Sequence, residues 1–203
     1  MSNFPTEERG LIIDTSVVIN LHWCTYGAEI LSAIPNKVAV AEIVAAELDN
    51  ERSRKTGEHG FLDSLVNAGT VEIANLTEEE YKVYWELVSG LPSLDDGEAA
   101  TVAVAASRNL FAIIDDKKGR KGALSRTKEE AGSSLDLFRH TVVLANLGNE
   151  QALDALFRSL RDARMRITTE RAEEVIALIG IDRAKECKSL PRYKERFRAV
   201  TSQ

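Results

Sequence analysis

Leu11-Ile-Ile13-Asp14-Thr15-Ser16-Val-Val-Ile-Asn20-Leu-His-Trp23 is the stretch on which the fold turns. Three consecutive apolar residues are too few for a helix face but enough for a short buried strand, and Asp14 closes the run. Thr15 or Ser16, both good N-cap residues, then opens a helix to about Trp23. The unit is strand, acid, helix, and it recurs. Val38 to Val40 leads into Ala41 to Leu48, where Ala and Glu content and the spacing of Ile43, Val44, Glu47 and Leu48 favour a helix. Thr70 to Ile73 reads as a third strand, and Leu110 to Ile114 as a fourth that ends in Asp115 and Asp116.

Between these units, Asp49 to Gly60 is charged and Gly-containing, which predicts a loop or frayed helix end before an amphipathic Phe61 to Val66. Thr77 and Glu80 have capping-box spacing ahead of a helix over Tyr81 to Val88, stopped before Gly90-Leu-Pro92. Leu94 to Gly97 makes a turn, and Glu98 to Arg108 is an Ala/Val-rich buried helix. Strands separated by helical stretches call for a mainly parallel sheet covered on both faces, because parallel strands need long crossover connections. The expected fold class is α/β.

The chain has 203 residues, 44% of them hydrophobic, which suits one sizeable core. Its net charge of −6 hides an asymmetry. Residues 1 to 116 hold 7 Lys/Arg against 20 Asp/Glu, whereas residues 117 to 203 hold 19 against 12. An acidic half followed by a cationic half suits a protein that holds a divalent cation and a polyanion side by side, although a solvated basic face is equally compatible. Lys117 to Lys128 carries six Lys/Arg and no acid. A helical pair follows near Asn149 to Arg164 and Thr169 to Leu178, and after Gly180 comes a basic tail, Asp182 to Gln203. The expected organisation is a catalytic domain over 1–148, a helical pair over 149–180 packed on or extending the same domain, and the basic tail over 181–203.

Several chemistries drop out. The polar opening and the interrupted run Leu11 to Leu21 fit neither signal peptide nor membrane span, so a soluble cytoplasmic protein is expected. Cys24 and Cys187 are too far apart for a CxxC site or a disulfide framework and read as buried or idle thiols. His22, His59 and His140 share no metal-ligand spacing with another His or Cys, and G-x-S-x-G is absent.

What remains is carboxylate chemistry. Ligands of open α/β sheets bind at the carboxyl ends of the strands, where Asp14 and Asp115 stand. Glu47 and Glu98, expected near the starts of neighbouring helices, can join them. Like charges packed together raise one another's pKa unless a cation intervenes, and oxygen donors suit Mg²⁺ or Mn²⁺. Such an ion activates water and steadies a phosphodiester's leaving oxygen. Taken singly, an acid after a strand is more often a cap or turn residue. Glu42 and Asp49 read as solvated helix charges, and Asp95 and Asp96 as turn residues.

In order, Leu11-Ile-Ile-Asp14-Thr15-Ser16, Val44-Ala-Ala-Glu47-Leu48, Gly97-Glu98-Ala-Ala and Ile113-Ile-Asp115-Asp116-Lys-Lys-Gly119-Arg120 resemble the four acidic motifs of PIN domains. Leu153, Leu156 and Leu160, then Arg164-Met-Arg-Ile and Glu173 to Ile179, are similar to the helical pair ending a PIN-like subgroup of predicted nucleic-acid-binding proteins, so the resemblance covers roughly residues 10 to 180. Ser133-Ser134 departs from that subgroup's usual Gly-Thr, and the tail after Gly180 has no counterpart in it.

The resemblance implies an α/β/α sandwich, Mg²⁺ or Mn²⁺ in an acidic cleft, and endonucleolytic cleavage of RNA. It further implies an antitoxin protein as partner, as for toxin-type relatives, and a homodimer. By role, it implies that Asp14, Glu98 and one of Asp115 and Asp116, with Asp116 slightly favoured, hold the metal, while Glu47 binds metal or positions the attacking water. Thr15, Ser16, Ser133 and Ser134 would steady phosphate, and Lys117, Lys118, Arg120 and Lys121 would contact the RNA backbone. A PIN scaffold kept only for RNA or protein binding is the alternative. Phosphoryl transfer through Asp14 is a third class, disfavoured because Ser16 stands where a dehalogenase-type Asp-x-Asp wants its second acid.

Overall fold

The computed structural model describes residues 4–5 and 8–197. β1 (Leu11–Ile13) leads through Asp14 into α1 (Thr15–Trp23), followed by α2 (Gly27–Ala33). The helix cap is Asp14 itself, whose Oδ1 accepts the Val17 amide at 2.9 Å, so Thr15 and Ser16, expected as caps, are the first helical residues instead. β2 (Val38–Ala41) runs into α3 (Glu42–Leu48). Asp49 to Gly60 is not a loop: α4 (Glu51–Thr56) and α5 (Glu58–Asn67) occupy it, separated by Gly57 at φ 92°. Asn50 caps α4 by accepting the Ser53 amide at 3.0 Å, and Gly57 supplies the left-handed turn that lets two helices meet there.

β3 (Val71–Ala74) precedes α6 (Glu78–Val88), which carries the capping box expected from Thr77 and Glu80. α7 (Asp96–Arg108) feeds β4 (Phe111–Ile113), and the basic run forms α8 (Lys117–Thr127). α9 (Ser134–Phe138), α10 (Thr141–Leu147), α11 (Asn149–Arg161), a 3₁₀ turn (Thr169–Arg171) and α12 (Ala172–Ile179) follow. Within the stretch expected to be a basic tail lie α13 (Ile181–Glu186) and α14 (Tyr193–Phe197); Ala184, Cys187 and Leu190 there are buried, and Ser189 donates to the Leu160 carbonyl at 2.9 Å. Residues 198–203 lie outside the described part.

All four strands are parallel, in the order β3-β2-β1-β4. Leu11, Ile12 and Ile13 have no exposed surface, as expected of a strand covered on both faces. α7 crosses one face over β1, β2 and β4 with α6 and α8 against it, while α1, α5 and α11 build the other layer. The result is an α/β/α sandwich. Register places the functional edge: Ile13 pairs with Ile113, so the chain leaves both strands side by side, with Asp14 following one and Asp115 the other. Beyond β4, Ile114 donates to Gly132 and Gly132 to Ala112, each at 2.9 Å, which draws the start of α9 up to Asp115. Among the described residues no helix is long and apolar enough to cross a membrane. Both cysteines are free and buried.

Candidate active site

At the carboxyl edge of the sheet a cleft of about 560 Å³ is lined by Asp14, Glu47, Glu98, Asp115 and Asp116, with Thr15, Ser16, Asn20, Asp95 and Gly97 between them. The five acids expected from sequence therefore share one cleft, although they come from four separate places in the chain. Two strand ends deliver Asp14 and Asp115, and the first turn of α7 delivers Glu98. Glu47, expected near a helix start, lies in the last turn of α3.

The acids divide into an inner and an outer group. Asp14 (2% exposed), Glu98 (8%) and Asp115 (9%) form the inner group. Burial, then the neighbouring Asp115 charge, pushes the Asp14 carboxyl well above its usual range. Burial and the charges of Asp116 and Asp95 raise Glu98 to about 7. Asp115 is also raised by burial, against the pull of its hydrogen bonds. Those bonds fix its orientation: the Ser134 amide donates at 2.8 Å, the Ser134 hydroxyl at 2.6 Å and the Asn20 side-chain amide at 2.7 Å. Glu98 differs in that its Oε2 is buried with no hydrogen-bond partner among the described residues. An orphaned carboxylate oxygen inside a cluster of like charges is costly unless a cation completes it.

The outer group is tied to protein partners. Glu47 accepts the Thr15 hydroxyl and, at 2.9 Å, the Gly97 amide. A side chain at Gly97 would overlap both the Glu47 carboxylate and the Thr15 hydroxyl, so the absence of one lets α7 approach that closely. Asp116 caps α8 by accepting the Lys118 amide at 2.8 Å and forms an ion pair with Arg166. With these two turned aside, no three His, Cys, Asp or Glu side chains among the described residues converge on a common ion position. The donor set nevertheless fits a hard divalent cation: it is all oxygen and clustered, and one buried oxygen is unsatisfied.

The hydroxyl residues serve other partners than expected. Thr15 spends its only proton on Glu47 and Ser16 on Asp14, at 2.9 Å. Both orient acids. Ser133 caps α9 through Asp136, and the fully buried Ser134 holds Asp115, so neither lines the acid cleft. Lys117, Arg120 and Lys121 line a second depression that adjoins the cleft through Asp115, Asp116 and Arg166, and exposed Lys118 lies beside it in the first turn of α8. The side chains of these four cations form no ion pair among the described residues. Glu42 is not merely solvated: it accepts the Leu76 amide at 2.7 Å. Asp49 pairs with Arg54 and Asp96 accepts from Tyr84, whereas Asp95, expected as a turn residue, lines the cleft.

Sequence reasoning missed two features. Asn20 sits on the buried face of α1, and its amide bridges Asp115 and Ser134, so a polar residue among Val17, Val18 and Leu21 was the available signal. The connection Ala163-Arg164-Met165-Arg166 closes one wall of the cleft, and only its unusual Arg-x-Arg pattern marks it in the sequence.

The model of the PIN domain family matches residues 10–181. The chain belongs to the PIN domain family. PIN domains are generally nucleases and typically use divalent metals, and this chain has their nuclease-like fold. Among curated proteins, none matches the sequence.

Proposed function

We propose that this PIN domain is a metal-dependent endoribonuclease that hydrolyses RNA phosphodiesters at the acid cleft. The observation that carries the reading is the inner trio Asp14, Glu98 and Asp115, buried together, with no ion pair and with one Glu98 oxygen unsatisfied among the described residues. Asp14, Glu98 and the Asp115/Asp116 pair would hold Mg²⁺ or Mn²⁺. When bound, such an ion lowers the pKa of water and neutralises developing charge on a phosphoryl oxygen.

The chain's own residues supply the rest. Ser16 and the Val17 amide fix one oxygen of Asp14, and Ser134 with Asn20 fixes Asp115, so these carboxylates keep their direction without reorganising. Glu47, which lines the cleft and is oriented by Thr15 and Gly97, would accept a proton from an attacking water. The unpaired Lys117, Lys118, Arg120 and Lys121 support a polyanionic substrate and would contact phosphates rather than read bases. The assay is cleavage of a labelled single-stranded RNA with Mn²⁺ present or chelated. Wild type is expected to cut only with the ion, and Asp14→Asn not at all; cutting by that variant would remove the assignment.

A competing reading, a PIN scaffold that binds without cutting, draws on the two outer acids being engaged by Thr15, Gly97 and Arg166. It predicts RNA binding with no Mn²⁺ affinity.

A further inference from the structure

The wall formed by residues 163–166 suggests a role for its arginines that rests on the nuclease reading above. Met165 is buried and its amide donates to the Ser159 carbonyl at 3.0 Å, which anchors the connection to α11. The arginines on either side of this anchor face the cleft margin. Arg164, held at φ 57°, lines the acid cleft and the depression beside Trp23 and Arg52, and has no partner among the described residues. Arg166 lines the acid cleft and the depression beside Lys117 and Lys121, and its guanidinium lies on Asp116. Arg166 is nonetheless 73% exposed, so the pair is open to solvent and to exchange.

We propose that Arg166 is an exchangeable phosphate ligand. In the free protein it neutralises Asp116; when a divalent ion engages Asp116, the guanidinium is released toward the adjoining depression and takes a backbone phosphate of the incoming RNA strand. Ion and arginine compete for one carboxylate, while ion and RNA favour each other because each frees what the other needs. The physical basis is that one oxygen of Asp116 already accepts the Lys118 amide, and a cation on the cleft side and a guanidinium would contend for the acceptor capacity that remains. Arg166 also sits at the junction of the two depressions, where a strand running from the acids to Lys117 and Lys121 would pass. A planar, permanently charged fork suits a phosphate as well as a carboxylate.

Two measurements test this, neither of which reads activity. In calorimetric titrations with Mn²⁺ alone, Arg166→Ala is expected to bind the ion about two- to fivefold more tightly than wild type, the worth of an exposed ion pair. Equal or weaker affinity would overturn the proposal. No Mn²⁺ binding by wild type would instead sink the nuclease reading.

The second measurement is a double-mutant cycle in EDTA, with a short single-stranded oligoribonucleotide as probe. Asp116→Asn frees Arg166, so removing Arg166 should weaken RNA binding more in the Asp116→Asn background than in wild type. The dependence of log K on log salt should also shrink there by about 0.7, one phosphate contact on a single strand. Arg166→Lys should keep most of the slope. An equal loss in both backgrounds would show that Arg166 does not exchange, whatever the outcome for metal.

Discussion

Two buried glutamates in this protein have opposite fates. Glu80, 1% exposed, accepts two bonds from Arg108 at 2.8 Å and one from the Thr77 amide at 2.8 Å, and these partners hold its carboxyl down at about 2. Glu98 is almost as buried, but its neighbours are Asp95 and Asp116, its Oε2 has no partner among the described residues, and its carboxyl rises to about 7. Glu80 brings its cation from its own chain and locks α6 to α7, which is a structural use of a buried charge. Glu98 is placed among more negative charge with no ion pair of its own among the described residues, which under the proposed nuclease reading an ion from outside would balance. The difference separates fold from site better than burial or charge alone.

The largest expected effect comes from the site half of this comparison. Asp14→Asn should lower Mn²⁺-dependent RNA cleavage at least about a thousandfold, or about 4 kcal/mol of transition-state stabilisation, while circular dichroism and melting show the fold intact or more stable. Residual cleavage near the wild-type rate would break the comparison there.

Next comes the fold half. Arg108→Ala leaves Glu80 buried without its cation and should cost about 1–3 kcal/mol in urea denaturation, with Mn²⁺ affinity unchanged. Glu98→Gln should do the reverse, stabilising the metal-free protein by about 1–3 kcal/mol near pH 8 and weakening Mn²⁺ binding. If both variants destabilise alike, the two glutamates are not different in kind.

A pH series sharpens the contrast. Glu98 has a folded pKa of about 7 against 4.5 for the ordinary glutamate, so the folded state binds more protons between those values, and burial shifts Asp14 in the same direction. The stability that these acids contribute is present below that window and lost as pH rises through it. Metal-free protein should therefore melt lower at pH 8 than at pH 5, and saturating Mg²⁺ should flatten the slope. Glu80, shifted down, contributes in the opposite sense, with stability lost only as pH falls from about 4.5 toward 2. A melting temperature that does not move between pH 5 and 8 without metal would contradict the reading of the inner trio. The smallest effect is expected at Gly97→Ala, where the new methyl displaces the Glu47 carboxylate and should cut cleavage about tenfold with little change in melting.

The sequence exposed the parts of this arrangement that are local. Apolar triplets followed by an acid announced β1 and β4, and the Thr77/Glu80 spacing announced the α6 cap, because each depends on neighbours within a turn or a strand. Asp49 to Gly60 is helical where charge and glycine suggest a loop or frayed helix end, because Asn50 and Gly57 are the cap and stop of a short helix. The hydroxyls at Thr15, Ser16 and Ser134 could be noticed but not assigned, since their partners are fixed only by packing. Asn20 finds Asp115 across 95 residues and Arg166 finds Asp116 across 50, and no periodicity encodes such pairings.

The most direct measurement is calorimetric titration of Mn²⁺ into wild type and Glu98→Gln at neutral pH. If the inner acids are left for a foreign cation to balance, wild type binds Mn²⁺ and the variant binds it at least about tenfold more weakly. Identical isotherms, or no binding by either protein, would contradict the account.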